Sequence, residues 1–192
     1  MKILITGCAG FIGFHLASKI LKDNKIKVYG VDNINPYYDI NIKKDRLKIL
    51  KKNNNFEFKN FDLSNYNKTN SYFKKNKFKI VFHLAAQAGV RYSIENPGAY
   101  IKDNINAFFS VIDNSRLFNI KHFIYASTSS VYGNSTKFPL KEEYDTNKPL
   151  SIYAATKKSN EVLAYSYSNI YKLPTSGMRF FTVYGPYGRP DM

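Results

Sequence analysis

A short apolar run, Ile3-Leu4-Ile5, leads directly into Gly7-Cys8-Ala9-Gly10-Phe11-Ile12-Gly13, and an amphipathic stretch over residues 14–21 follows. That order predicts a strand, a tight glycine turn and a helix. Glycine lets the backbone reverse sharply and lets a diphosphate approach the main chain. The free N–H groups and the dipole at the start of the helix then favour its negative charge. The spacing is G-x-x-G-x-x-G rather than the commoner G-x-G-x-x-G, so taken alone the glycines mark only a turn. Three features sharpen the reading: the turn's place in the first βα unit, a second apolar run at 26–31, and Asp32 at the end of that run. A carboxylate about 20 residues past such a turn binds ribose hydroxyls and disfavours a 2′-phosphate. The competing role for Asp32 is to cap the turn before Asn33. The unit as a whole predicts a dinucleotide site.

The 192 residues, 44% of them hydrophobic, suffice for one domain with a substantial core. The formal charge of +15 invites a nucleic-acid partner. Most of that charge is lysine scattered among asparagines, as in Lys51-Lys52-Asn53-Asn54-Asn55, which reads as solvated surface. No nucleic-acid partner is expected. A positive field would still attract a polyanionic nucleotide. One cysteine, Cys8, rules out an internal disulfide and suits a reducing cytoplasm. Too few apolar residues precede Thr6 for an export signal, and no stretch reaches the length of a membrane span. His15, His83 and His122 lack ligand spacing, so no metal is expected.

Along the chain, 33–39 reads as a polar loop, 43–51 as a helix and 56–61 as an alternating strand. Asp62 then either faces a purine or caps the helix predicted over 66–75, and both roles are compatible. Residues 79–84 read as a buried strand. Ala85-Ala86-Gln87-Ala88-Gly89 follows, small enough for a ligand to lie against the backbone. Arg91 comes just after, as a ligand contact or a surface ion pair. A long helix is predicted over 99–118, a strand over 121–126 ending in Ser127-Thr128-Ser129-Ser130, a loop over 139–149, a helix over 151–171 and a last strand over 175–181. Strands alternating with helices predict an α/β, doubly wound parallel sheet that binds ligands at the carboxyl ends of its strands.

Tyr153 and Lys157 lie four apart on one predicted helix face. A phenol with a reference pKa near 10 is a poor base at neutral pH, and a neighbouring cation favours its phenolate. The pair suits proton transfer with an alcohol while hydride moves to a nicotinamide. Y-x-x-x-K is common by itself, and its bland reading is a surface pair on a tyrosine-rich helix. The upstream glycine turn and the hydroxyl cluster lift it above that.

With these stretches together, the chain resembles an extended short-chain dehydrogenase/reductase of the nucleotide-sugar epimerase group, and more narrowly it is similar to UDP-glucuronate 4-epimerases. The matching stretches are 7–13, Val31-Asp32-Asn33 with Tyr37-Tyr38-Asp39, 83–93, 125–133, 153–157 and 179–186, and the closing 188–192 fits too. The resemblance spans the whole chain and implies a Rossmann fold holding NAD. Gly7, Gly10, Phe11, Ile12 and Gly13 would contact the cofactor from the turn. Asp32, Asn33, Asp62, Leu63, Leu84, Ala85, Ala86, Ser127, Tyr153 and Lys157 would also contact the cofactor. Tyr153 would take the sugar 4-hydroxyl proton, Lys157 would hold the nicotinamide ribose, and Thr128 would help relay the proton. Gln87, Arg91, Ser129, Thr182 and Arg189, with Thr128 and Tyr153, would contact a UDP-sugar.

Related 4,6-dehydratases carry Asp-Glu where this chain has Ser129-Ser130, so elimination of water is not expected. A neutral-sugar 4-epimerase is the close rival, and it would usually carry Asn in place of Thr182. Family members run past 300 residues, with a smaller C-terminal substrate domain. Residues 1–192 thus read as the NAD-binding domain alone, expected to bind NAD but to turn over slowly or not at all. A non-catalytic NAD-binding module is the rival from another class. By analogy the two long helices would form a homodimer.

Overall fold

The computed structural model describes residues 1–188. Six strands form one parallel sheet in the order β3-β2-β1-β4-β5-β6. They are β1 (Lys2–Thr6), β2 (Lys27–Asp32), β3 (Phe56–Asn60), β4 (Ile80–His83), β5 (His122–Thr128) and β6 (Thr175–Phe180). Helices α1 (Phe11–Ile20) and α2 (Ile40–Leu50) cover one face. Helices α3 (Tyr66–Asn76), α6 (Ala107–Leu117) and α7 (Ile152–Tyr171) cover the other. This is the doubly wound architecture expected from the alternation of elements.

Strand periodicity explains the two cores. On β1, Ile3 and Ile5 point to the layer of Phe14, Ala17 and Leu47, while Leu4 points to the layer of Phe73, Phe108 and Phe123. A sheet buried on both faces needs apolar residues at successive positions, hence the unbroken runs. Each large side chain buried this way contributes about 1.5–3 kcal/mol.

Side-chain caps set several helix starts. Asp39 accepts from Asn41 N on α2, Asn65 from Lys68 N on α3, and Ser151 from Ala154 N on α7. The predicted cap role of Asp62 therefore falls to Asn65. Lys77 and Lys172 close α3 and α7 in the left-handed conformation.

The long helix expected over 99–118 is interrupted. Short α4 (Tyr92–Glu95) and α5 (Pro97–Tyr100) precede a π-helical stretch, Ile101–Asn106, before α6 resumes regular winding. The wider π turn falls where the Asn104 side chain bonds the backbone of Gln87 on both sides, its Oδ1 accepting from Gln87 N at 2.8 Å and its Nδ2 donating to Gln87 O at 3.0 Å. Strand β5 runs two residues past its predicted end, because Ser127 and Thr128 pair with Arg179 and Phe180 of β6.

Candidate active site

The strand order reverses between β1 and β4, and the loops leaving these strands meet there, as doubly wound sheets require of a binding crevice. Gly7 has φ +69, and a Cβ on it would stand 2.7 Å from Ala85 N. A Cβ on Gly13 would stand 2.2 Å from Gly7 O. Only glycine lets the turn, the start of α1 and the β4 loop approach so closely. Gly10 caps α1 without a side-chain acceptor, which leaves the first N–H groups of the helix to a ligand. Thr6 braces the junction: its Oγ1 accepts from Leu84 N at 3.1 Å and Ala85 N at 3.2 Å, and lies 2.9 Å from His83 Nδ1. Burial and the nearby Lys157 charge push the His83 pKa down to about 3, so the ring is a neutral brace.

The crevice holds about 450 Å³. Its lining includes Gly7, Gly10, Phe11, Ile12, Gly13, Asp32 and Asn33 at one end. Asp62, Leu63, Leu84, Ala85 and Ala86 lie along it, and Gln87, Ser127, Thr128, Ser129, Tyr153, Lys157 and Thr182 also line it. All of these were singled out from sequence. Arg91 is exposed, lies just beyond the lining residue Val90 and makes no ion pair among the described residues. Arg189 lies outside the described residues.

Asp32 lines the crevice and caps the turn after β2. Its Oδ1 accepts from Ile34 N at 2.8 Å, closing the turn, while Oδ2 accepts from Ala9 N at 3.1 Å and fixes the glycine turn. Burial raises its pKa, opposed by backbone donors and by the charges of Lys43 and Arg46. The buried Arg46 donates through Nη1 to Ala9 O at 2.8 Å and through Nη2 to Tyr187 O at 2.7 Å, tying the turn to residues near 187. Asp62 Oδ1 accepts from Ser64 N and Oγ, and Oδ2 pairs with Lys102 at 2.6 Å. Burial raises its pKa, but these partners outweigh it and hold the carboxyl below its usual range.

Tyr153 lies in the first turn of α7 and Lys157 one turn on, both on the crevice. Lys157 is 3% exposed. Its Nζ donates to Ala126 O at 3.0 Å, and burial brings its pKa down to about 8. Thr128 Oγ1 accepts from Ser130 N at 3.1 Å. Ser127 Oγ donates to Glu161 Oε1 at 2.6 Å, and Glu161 holds Arg179 through Oε1 at 2.9 Å and Oε2 at 3.0 Å. Gln87 Oε1 accepts from Asn35 Nδ2 at 3.2 Å, and Asn35 Oδ1 accepts from Lys43 Nζ at 2.6 Å. Asn104 reaches from the π turn to Thr156 Oγ1 at 3.1 Å.

Sequence reasoning missed Asn35, Lys43, Asn104 and Glu161. A buried lysine or asparagine has the same local pattern as an exposed one, so the signal was absent rather than overlooked. Among the described residues no three His, Cys, Asp or Glu side chains cluster to hold a metal.

A dinucleotide-binding type of crevice, at the switch point of a doubly wound parallel sheet, is what this fold defines. Residues 3–192 match the NAD dependent epimerase/dehydratase family, and the chain belongs to that family. It is 56% identical over its whole length to Protein CapI of Staphylococcus aureus, spanning 57% of that protein. It is 44% identical to a probable UDP-glucuronate 4-epimerase of Rhizobium meliloti, over all of this chain and 56% of that one. Its fold superposes with TM-score 0.93 and 36% identity on UDP-glucuronic acid 4-epimerase from Bacillus cereus, solved in complex with UDP-glucuronic acid and NAD, over 100% of this chain and 60% of that one. The chain thus spans little more than half the length of these relatives.

Proposed function

We propose that residues 1–192 form the cofactor domain of a UDP-sugar 4-epimerase that holds NAD and acts on UDP-glucuronate to give UDP-galacturonate. The observation that carries the reading is Tyr153 and the buried Lys157 on the same crevice as the Gly7–Gly13 turn. The residues fit NAD: Gly7 and Gly13 let the turn close tightly under the crevice, the start of α1 carries no side-chain cap, and Asp32 lines the same crevice. NAD, when bound, supplies a reversible acceptor for the C4 hydride.

The chain's own groups supply the rest. Tyr153 takes the 4-hydroxyl proton and later returns it. Lys157 keeps positive charge close to the phenol and offers its ammonium to a ribose hydroxyl. Thr128, buried beside them, orients the 4-oxygen. Ser129, Ser130 and Thr182 bring hydroxyl donors to the crevice, which suits an acceptor-only carboxylate at C6. Ser129-Ser130 provides no acid for elimination.

The protein works in a reducing compartment such as the cytoplasm, in keeping with its buried free Cys8. None of its described helices is long and apolar enough to cross a membrane. A homodimer forms through α6 and α7 and the turn before them, where Ile101, Phe109, Val162 and Tyr165 expose apolar surface. The substrate is tested by incubating the NAD-loaded chain with UDP-glucuronate and with UDP-glucose. Whatever slow inversion occurs is expected with UDP-glucuronate, whereas inversion of UDP-glucose alone refutes the uronate assignment.

A further inference from the structure

Tyr100, the last residue of α5, is 0% exposed and stands behind the crevice. Its hydroxyl faces two carbonyls of the loop after β4, Ala88 O at 2.9 Å and Gly89 O at 2.5 Å. Burial, and after it the neighbouring phenol Tyr37, pushes its pKa up to about 12, so it remains a proton donor at neutral pH. Its ring meets that of Tyr153 edge-on, with centroids 6.2 Å apart at 76°. On its other side it meets Tyr92, at 6.2 Å and 52°.

The loop held by this hydroxyl lines the crevice, from Leu84 to Val90. Asn104 anchors it at Gln87, and Val90 O accepts from Ser93 Oγ at its far end. Between those anchors Gly89 takes φ +104, and a Cβ there would stand 2.6 Å from the Tyr37 hydroxyl. One side chain therefore touches both walls: the loop carbonyls on one side and the ring of Tyr153 on the other.

We propose that Tyr100 is a positioning residue that sets the separation between the 88–90 loop and Tyr153, and so the approach of the sugar to the phenol. The proposal rests on the epimerase reading of the site. A purely space-filling Tyr100 would need its ring but not its hydroxyl, so Tyr100→Phe separates the two: it keeps the packing and removes the donor.

Hydrogen exchange on the full chain is expected to show amides of 88–90 opening about tenfold faster in Tyr100→Phe, the effect of one lost loop-anchoring hydrogen bond. Amides of β1 and α1 should be unchanged. Calorimetric titration with UDP-glucuronate at saturating NAD should show affinity weakened by a similar factor, with NAD affinity unchanged. Unchanged loop exchange, or NAD and sugar affinity falling together as in general loosening, overturns the proposal. The exchange measurement needs no ligand. A wild-type chain that takes no UDP-sugar would therefore defeat the substrate reading, while loop exchange would still decide whether the hydroxyl holds the loop.

Discussion

Lys157 carries a charge into a place that disfavours charge. Its pKa falls from the model-compound 10.5 to about 8 because burial penalises the ammonium. Between those values the unfolded chain binds a proton at this position that the folded chain does not, so this group's contribution to stability improves as pH rises through that window. Below the folded pKa the full cost applies, about 3 kcal/mol, less about 1 kcal/mol for the bond to Ala126 O. Lys157→Met should therefore be about 2 kcal/mol more stable than wild type at pH 7 in denaturant unfolding, should lose that advantage as pH rises above 8, and should not turn over. A variant less stable than wild type at pH 7 contradicts this. Tyr153 and Lys157 were legible in sequence because four-residue spacing is local geometry. Lys43 and Asn104 were not, since only the folded topology carries Lys43 to Asn35 and Asn104 to Gln87 and Thr156. Arg91 follows a crevice loop in sequence and is exposed, and its spacing alone left both of its readings open.

At the scale of elements, the glycine turn was the most legible feature, since a strand, three spaced glycines and an amphipathic run admit few geometries. Gly13→Ala should test it: the added methyl meets Gly7 O at 2.2 Å, a backbone atom that cannot step aside. A loss of more than about 2 kcal/mol in stability, together with loss of NAD binding by calorimetry, is expected. Normal NAD affinity in this variant would mean that the turn does not hold the diphosphate. Strand and helix ends moved by one to three residues for physical reasons: β5 lengthens because β6 pairs with its hydroxyl end. The π turn before α6 was not legible, because its apolar spacing is that of a continuous helix; Asn104, within it, bonds Gln87 and Thr156.

For the whole molecule, the parallel, doubly wound sheet was legible from the alternation of elements, but its strand order was not. Val162 and Tyr165, three residues apart and exposed on α7, share one helix face, the one assigned to the proposed homodimer. Val162→Glu should convert a dimer to monomer in analytical ultracentrifugation while leaving NAD affinity intact, and a wild-type chain that sediments as a monomer contradicts the dimer. The central claim is that NAD held over the glycine turn and the phenol of Tyr153 invert C4 together, with hydride never leaving the crevice. Its most direct test is a reaction of UDP-glucuronate deuterated at C4 with the NAD-loaded chain in excess, so that even slow turnover suffices. The account predicts C4-inverted sugar that keeps its deuterium, and none from Tyr153→Phe. Inversion with deuterium lost to water, or inversion that survives Tyr153→Phe, would contradict it.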